Sequence, residues 1–205
     1  QDKERENFDT SLLNQTSDLQ LSGEYEAFIR LNIKYLKKAA KMKYKAGKGL
    51  CYLNMAGVNV SAGNYDKARF FFNKAEKDLK NSENNYHKAA FYNDYSLYYS
   101  HLKINDKAIE CNNKAFYFLK QAAKTSLARK LLPRLYVNKG IYYAWKGWFG
   151  TSLKCFTKAN VLENSAYSNC MVAQYYLFVH KPDSAGIYIE EADEKMLSQK
   201  TTDVE

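Results

Sequence analysis

Four stretches of this 205-residue chain repeat one spacing of small residues, and this repeat restricts the fold more than any other feature. Each stretch has a reference alanine, a small residue seven positions before it and another twelve positions earlier. The reference residues are Ala75, Ala115, Ala159 and Ala192. The earlier small residues are Ala68, Ala108, Ser152 and Ala185, and then Ala56, Ser96, Gly140 and Ala173. Units repeated in this way stack on one another, each burying a face that it cannot bury alone.

The repeated units are predicted to be helical. Two prolines and nine glycines are too few for the many tight turns of an all-β sandwich or barrel. In the last unit, Ala185, Ile189, Ala192 and Met196 recur at helical spacing and form one stripe of a helix. The pattern predicts helices at 43–61, 65–80, 85–102, 105–122, 127–146, 149–162, 165–180 and 182–198.

The motif resembles the tetratricopeptide repeat (TPR), whose signature places W-x2-L-G-x2-Y before A-x3-F over about 34 residues. The third unit fits best, with Tyr136, Gly140, Tyr143, Ser152 and Phe156 in the successive signature positions. The proline that ends the family's signature is missing from all four units. The resemblance implies an all-α fold, a right-handed α-α superhelix of antiparallel helix pairs.

We expect a single solenoid domain over residues 1–205. A degenerate helix pair at about 7–42 precedes repeats at about 43–82, 83–124, 125–163 and 164–198. Gly63 and Gly147 are predicted in turns that need a positive φ, and Pro133 is expected to start or kink the fifth predicted helix. Because the chain starts with Gln1 and its last predicted helix has an uncovered apolar edge, we expect a piece of a longer protein.

In TPR arrays the first helix of each pair, helix A, lines a concave groove. Position by position, the resemblance therefore implies a partner-binding groove. The candidate groove residues are Leu53, Asn93, Leu97, His101, Arg134, Asn138, Ile141, Trp145, Tyr167, Gln174 and Phe178. Aromatic side chains provide anchoring area and amides bind backbone groups, so this lining suits a peptide or a partner helix. For the aliphatic members, ordinary packing between repeats is an equal alternative.

No catalytic site, metal site or cofactor site is predicted. The histidines 87, 101 and 180 are far apart in the sequence, and no phosphate-binding or nucleophile motif is present. The four cysteines lack metal-binding spacing and are read as buried or half-buried thiols. No stretch is long and apolar enough to cross a bilayer, so we expect a soluble protein, with a bacterial cytoplasmic or periplasmic location left open.

Charge is unevenly distributed along the chain, which carries a formal net charge of +9. Residues 30–160 contain 26 Lys and Arg against seven Asp and Glu, whereas the two flanks are acidic. The dense lysine run over residues 34–48 could attract nucleic acid or an anionic membrane. However, only five of the 31 cations are arginine, the residue that best recognises phosphates and bases, so a solvated helix face is preferred.

The leading interpretation is a non-catalytic scaffold that binds a protein or peptide. The long repeats, near 40 residues, resemble the TPR arrays that act as sensor or interaction regions of bacterial transcription regulators. Two alternatives remain: a self-assembly module that forms a homo-oligomer through opposite charges, and a basic solenoid that binds nucleic acid.

Overall fold

The computed structural model describes residues 2–202, including the side chains of all these residues except 21 and 199–202. The ends of the predicted domain, residue 1 and residues 203–205, lie outside this description. The described chain is all-α and contains no strand. Its helices are α1 Asp2–Leu21, α2 Tyr25–Lys41, α3 Lys45–Ser61, α4 Tyr65–Leu79, α5 Asn85–His101, α6 Asn105–Gln121, α7 Ser126–Trp145, α8 Phe149–Leu162, α9 Ala166–Phe178 and α10 Pro182–Thr202.

The repeated small residues are buried where two helices of a pair approach each other. All four reference alanines, and all four small residues seven positions before them, are buried. At Gly140 of α7, an added Cβ would lie 2.5 Å from the ring of Phe156 on α8. The Ser152 hydroxyl on α8 donates a hydrogen bond of 2.8 Å to the carbonyl oxygen of Gly140. Small side chains therefore permit this close approach, as the repeat predicts.

The turns between paired helices need a left-handed residue. Glycine provides it at Gly23, Gly63 and Gly147, with φ between 74° and 76°. Two other turns within helix pairs use a non-glycine residue instead, Lys103 and His180, and Lys43 does the same between α2 and α3. The predicted glycine turns are therefore confirmed. Of the two expectations for Pro133, the helix start is wrong, because α7 begins at Ser126 and Pro133 lies inside it, and the kink stays a prediction.

The chain divides into two compact units, Gln1–Leu127 and Ala128–Glu205, which we call unit 1 and unit 2. Unit 1 contains α1 to α6. Its core is rich in aromatic rings: Phe72 on α4 contacts Phe91, Tyr95 and Tyr98 of α5, with ring centroids 5.0–6.1 Å apart. Phe8 of α1 packs edge-on against Tyr35 of α2 at 5.2 Å.

Unit 2 contains most of α7 together with α8, α9 and α10. Val137, Phe156, Ala159 and Val172 form its buried centre, and half-buried side chains such as Tyr188 of α10 pack around them. Each unit is thus a set of helix hairpins closed by aliphatic and aromatic contacts.

Candidate partner-binding surface

The predicted groove residues of unit 1 are mostly covered. Leu53 on α3 and Asn93 on α5 are buried, and Leu97 is half-buried. His101, the last residue of α5, is exposed. In unit 1, therefore, His101 is the candidate that a partner can contact most directly.

Two polar side chains of unit 1 that the candidate groove did not include make side-chain hydrogen bonds, Asn54 on α3 and Asp94 on α5. The Asn54 amide on α3 donates to the Asn32 side-chain oxygen on α2 at 3.1 Å and to the Thr16 hydroxyl on α1 at 3.4 Å. Forty residues later, Asp94 accepts a hydrogen bond of 2.9 Å from its chain neighbour Asn93, within α5. Asn54 and Asp94 both stand two positions before a repeated small residue, and this register is the sequence signal that could have identified them.

Unit 2 exposes most of its predicted groove residues. Asn138 is buried, and Ile141 packs against the core of the unit. The exposed members come from α7 and α9, and we call them the A-helix surface. They are Arg134, Trp145, Tyr167, Gln174 and Phe178. The three aromatic side chains of this set are large and well exposed: Trp145 is 45% exposed, Tyr167 57% and Phe178 61%.

Neighbouring groups set the environment of two aromatic members of the A-helix surface. Desolvation raises the pKa of the Tyr167 phenol, and the positive charge of Arg134 opposes this rise. The Phe178 ring lies 4.7 Å from the ring of Phe149 on α8. The surface thus combines cationic, amide and aromatic groups, which can hold a polypeptide through both hydrogen bonds and apolar contact.

A buried hydrogen-bonded network in unit 1 was not predicted. His87 of α5 contacts the Asp9 carboxylate of α1 through Nε2 at 2.7 Å and the Ser82 hydroxyl through Nδ1 at 2.7 Å. The Tyr44 hydroxyl, just before α3, donates to both Asp9 oxygens at 2.9–3.0 Å. Burial, together with the Asp9 charge, raises the pKa of Tyr44. The network joins α1 to α3 and α5.

The order Ser82, His87, Asp9 matches the connectivity of a hydrolase triad, but the ring nitrogens are exchanged. In the serine protease template, serine contacts Nε2 and aspartate contacts Nδ1. Here Ser82 also accepts a hydrogen bond from the backbone N–H of Asn84 at 3.2 Å, which fixes the loop before α5. We therefore interpret the network as a structural tether between helices.

The described chain shows neither a metal-binding cluster nor a helix suited to a membrane. Within residues 2–202, no three His, Cys, Asp or Glu side chains stand together in a way that could hold a metal ion. None of the helices described above combines the length and the hydropathy that a bilayer crossing requires. The cysteines 51, 111 and 155 are buried free thiols and Cys170 is half-buried, as expected.

No protein-family model matches the sequence, and no curated protein matches it either. Solved structures do match in fold. The Cut9–Hcn1 hetero-tetramer of the APC/C superposes with a TM-score of 0.68 at 17% identity, over 86% of this chain. The TPR protein TTC0263 of Thermus thermophilus gives a TM-score of 0.64 at 18% identity, over 91% of this chain and 90% of its own. The chain has a tetratricopeptide-repeat fold.

A third structure with this TPR fold is PilF of Pseudomonas aeruginosa, with a TM-score of 0.61 at 14% identity, over 93% of this chain and 78% of its own. In the Cut9–Hcn1 structure, by contrast, the match spans only 31% of the matched chain. At these identities the likeness concerns the fold, and the expected all-α TPR-like architecture of helix pairs is confirmed.

Proposed function

We propose that this protein is a non-catalytic scaffold that binds a peptide or a partner domain through its A-helix surface. The observation that carries this proposal is the exposure of Trp145, Tyr167 and Phe178 on α7 and α9. Large aromatic side chains that are left in solvent are characteristic of binding surfaces, where a few of them supply most of the affinity. Arg134 and Gln174 add polar groups that can orient a bound chain.

The fold neighbours support this proposal. One of them, Cut9, is described as part of a hetero-tetramer with a second protein, Hcn1. A solenoid of helix hairpins offers an extended surface, and such surfaces generally act in recognition. Proteins and peptides are therefore the proposed partners.

Selection from a displayed library of random peptides tests the proposal. We expect peptides selected on the wild-type chain to bind Trp145→Ala or Arg134→Ala about tenfold more weakly, because each change removes an exposed contact of the A-helix surface. Binding can be measured by fluorescence anisotropy of a labelled selected peptide. Circular dichroism of both variants should stay that of the wild type, since neither side chain is buried.

Phe70→Ala is the matched control, because Phe70 is also a half-exposed aromatic residue but lies on α4 of unit 1. This variant should retain wild-type affinity. Equal binding by the wild type, Trp145→Ala and Arg134→Ala would refute the assigned surface.

A finer part of the proposal concerns context. Repeats near 40 residues support a role as the interaction or sensor region of a larger bacterial transcription regulator. The gene that encodes this segment should then also encode a helix-turn-helix domain in the same reading frame. A complete reading frame without any DNA-binding domain would refute this part and leave the scaffold proposal intact.

Self-assembly is the second candidate function, and α10 is the observation that favours it. Its exposed side chains include Ile187 at 59% and Leu197 at 64%, alternating with acidic residues such as Glu190 and Glu194. An acidic, apolar helix can pair with the basic middle of a second copy. Light scattering should then show an oligomer at low salt that dissociates at high salt, whereas a monomer at both would exclude this candidate.

A further inference from the structure

A small cavity of about 210 Å³ opens in unit 1 between α4, α5 and α6. Leu79, Phe91, Tyr92 and Phe118 provide its apolar wall. Pockets that bury drug-sized molecules measure roughly 300–1,000 Å³, so this cavity suits a single side chain better than a cofactor. It belongs to unit 1, whereas the A-helix surface belongs to unit 2. We call it the repeat-two pocket.

The repeat-two pocket depends on a difference between two otherwise equivalent repeats. In the first repeat, Lys48 of α3 lies 3.9 Å from the Asp78 carboxylate of α4. Forty residues later, the corresponding lysine is Lys88, but Phe118 occupies the place of the aspartate. The Lys88 ammonium lies 5.6 Å from the centroid of the Phe118 ring. Replacing a carboxylate by a ring at this position gives the pocket an apolar wall and leaves a lysine without its acidic partner.

The rim of the pocket is more basic than acidic. Lys80 at the end of α4 and Lys88 on α5 line it together with one carboxylate, Glu76. Among the residues that the structure describes, neither lysine has a carboxylate within 4 Å. A third lysine, Lys114, lies 5.6 Å from the Tyr92 ring centroid but is already paired with Glu110 at 2.7 Å. Lys80 and Lys88 therefore lie beside an apolar cavity with no carboxylate of the described residues in salt-bridge distance.

The arrangement of the rings selects the kind of ligand. Tyr92 and Phe118 stack on each other, with centroids 5.7 Å apart and planes 6° apart. Lysine ammonium groups lie near both rings, Lys114 at Tyr92 and Lys88 at Phe118. An aromatic side chain can pack against the edges of these two rings without displacing the lysine ammonium groups that lie over them.

We propose that the repeat-two pocket binds an acidic segment of a partner protein that carries one aromatic side chain. The aromatic ring enters the cavity against Tyr92 and Phe118. The carboxylates that flank it pair with Lys80 and Lys88 at the rim. This site is independent of the A-helix surface, so the test of one site does not decide the other.

Titration of the full chain with a short synthetic peptide tests the proposal. The probe is acetyl-Asp-Asp-Phe-Asp-Asp-amide, compared with the same peptide carrying alanine in place of phenylalanine. We expect saturable binding of the phenylalanine peptide in amide NMR spectra, with shifts concentrated at the end of α4 and the start of α5. The alanine peptide should bind about tenfold more weakly, because it leaves the cavity unfilled. Equal affinities for both peptides would overturn the proposal.

Phe118→Asp is the decisive variant, because it gives the second repeat the residue that the first repeat already carries. The new carboxylate can pair with Lys88, as Asp78 pairs with Lys48 in the first repeat. Because the first repeat folds with this pair, we expect the variant to fold as well. We expect about a tenfold loss of peptide affinity with unchanged helical circular dichroism. Lys80→Glu, at an exposed position, should weaken binding by a similar factor without any change in packing.

Phe70→Asp is the matched control for this variant. Phe70 is an exposed ring of α4 that lies 4.6 Å from the Lys74 ammonium, so it offers the same pair of groups outside the pocket. Its replacement should leave peptide affinity unchanged. Wild-type affinity in both Phe118→Asp and Lys80→Glu would overturn the proposal. Tighter binding of a short oligodeoxythymidylate than of the peptide, with loss of that binding in Phe118→Asp, would also overturn the proposal.

Discussion

At the scale of single residues, the Asp9–His87 contact is the strongest departure from what the sequence predicts. Its partners are 78 positions apart, and both are almost fully buried, with Asp9 4% exposed and His87 2%. The sequence presents His87 as an isolated histidine, because helical periodicity describes one helix at a time and carries no information about which distant carboxylate faces it. The buried alanines, by contrast, were predicted because their spacing repeats.

Removing either partner should destabilise the fold strongly. His87→Ala is expected to lower the free energy of unfolding by about 3 kcal/mol, because the buried Asp9 carboxylate loses a hydrogen-bond partner. Ser82→Ala should cost only about 1 kcal/mol, since it removes one half-buried hydroxyl. Urea denaturation followed by circular dichroism measures both. In a double-mutant cycle, Asp9→Ala with His87→Ala should cost less than the sum of the single changes, and strict additivity would contradict the tether.

At the scale of elements, the helices agree closely with the bounds predicted from the sequence. The left-handed turn residues are of two kinds, glycine and non-glycine. Most of the predicted helix ends lie within two residues of those found, because small and aromatic residues recur in register along each helix. At Pro133 a helix start was one of two alternatives, and it is excluded because α7 already runs from Ser126, so that the proline lies inside α7. The register cannot reveal that Lys43, Lys103 and His180 replace glycine at three left-handed turn positions.

Two glycines of the same hairpin should respond to alanine with opposite signs. Gly63 has a φ of +74°, so Gly63→Ala should cost about 1 kcal/mol although the space around it is open. Gly57 lies inside α3 with equal space, so Gly57→Ala should stabilise the protein by about 1 kcal/mol. Thermal unfolding of the two variants side by side decides the matter. A shift of both melting temperatures in the same direction would refute this account of the hairpin.

At the scale of the whole molecule, the TPR-like fold could be predicted, whereas the repeat-two pocket could not. The fold follows from a spacing that occurs four times. The pocket depends on one departure from the repeat, Phe118 in place of an aspartate, and on which lysine lies over which ring. The positions that line the groove in TPR arrays indicated the candidate groove residues. They did not indicate that three of these residues, Leu53, Asn93 and Asn138, are buried.

The stability of the protein should fall in alkaline solution because of its buried thiols. Burial, helped by the Asp9 charge, raises the pKa of Cys51 from 9.0 to about 12, and burial raises that of Cys111 to about 11. Above pH 9 the unfolded chain therefore binds fewer protons than the native state, so the free energy of unfolding decreases as pH rises. We expect a loss of about 1 kcal/mol per pH unit for each thiol until its native pKa is reached.

Urea titrations at several pH values between neutrality and pH 11 measure this slope. Cys51→Ala should make it shallower, because one of the protonated groups is removed. A free energy of unfolding that stays constant from pH 8 to pH 11 would contradict the prediction.

The link between α1 and α5 changes how the N-terminal end of the molecule can come apart. In a stack whose hairpins touch only their immediate neighbours, the outermost helix frays first and opening spreads inward one hairpin at a time. Here α1 cannot detach without breaking the hydrogen bond between the buried Asp9 carboxylate and His87. His87 is on α5, which follows the α3–α4 hairpin in the chain. The first five helices are therefore expected to unfold together in one cooperative event, and not one hairpin after another.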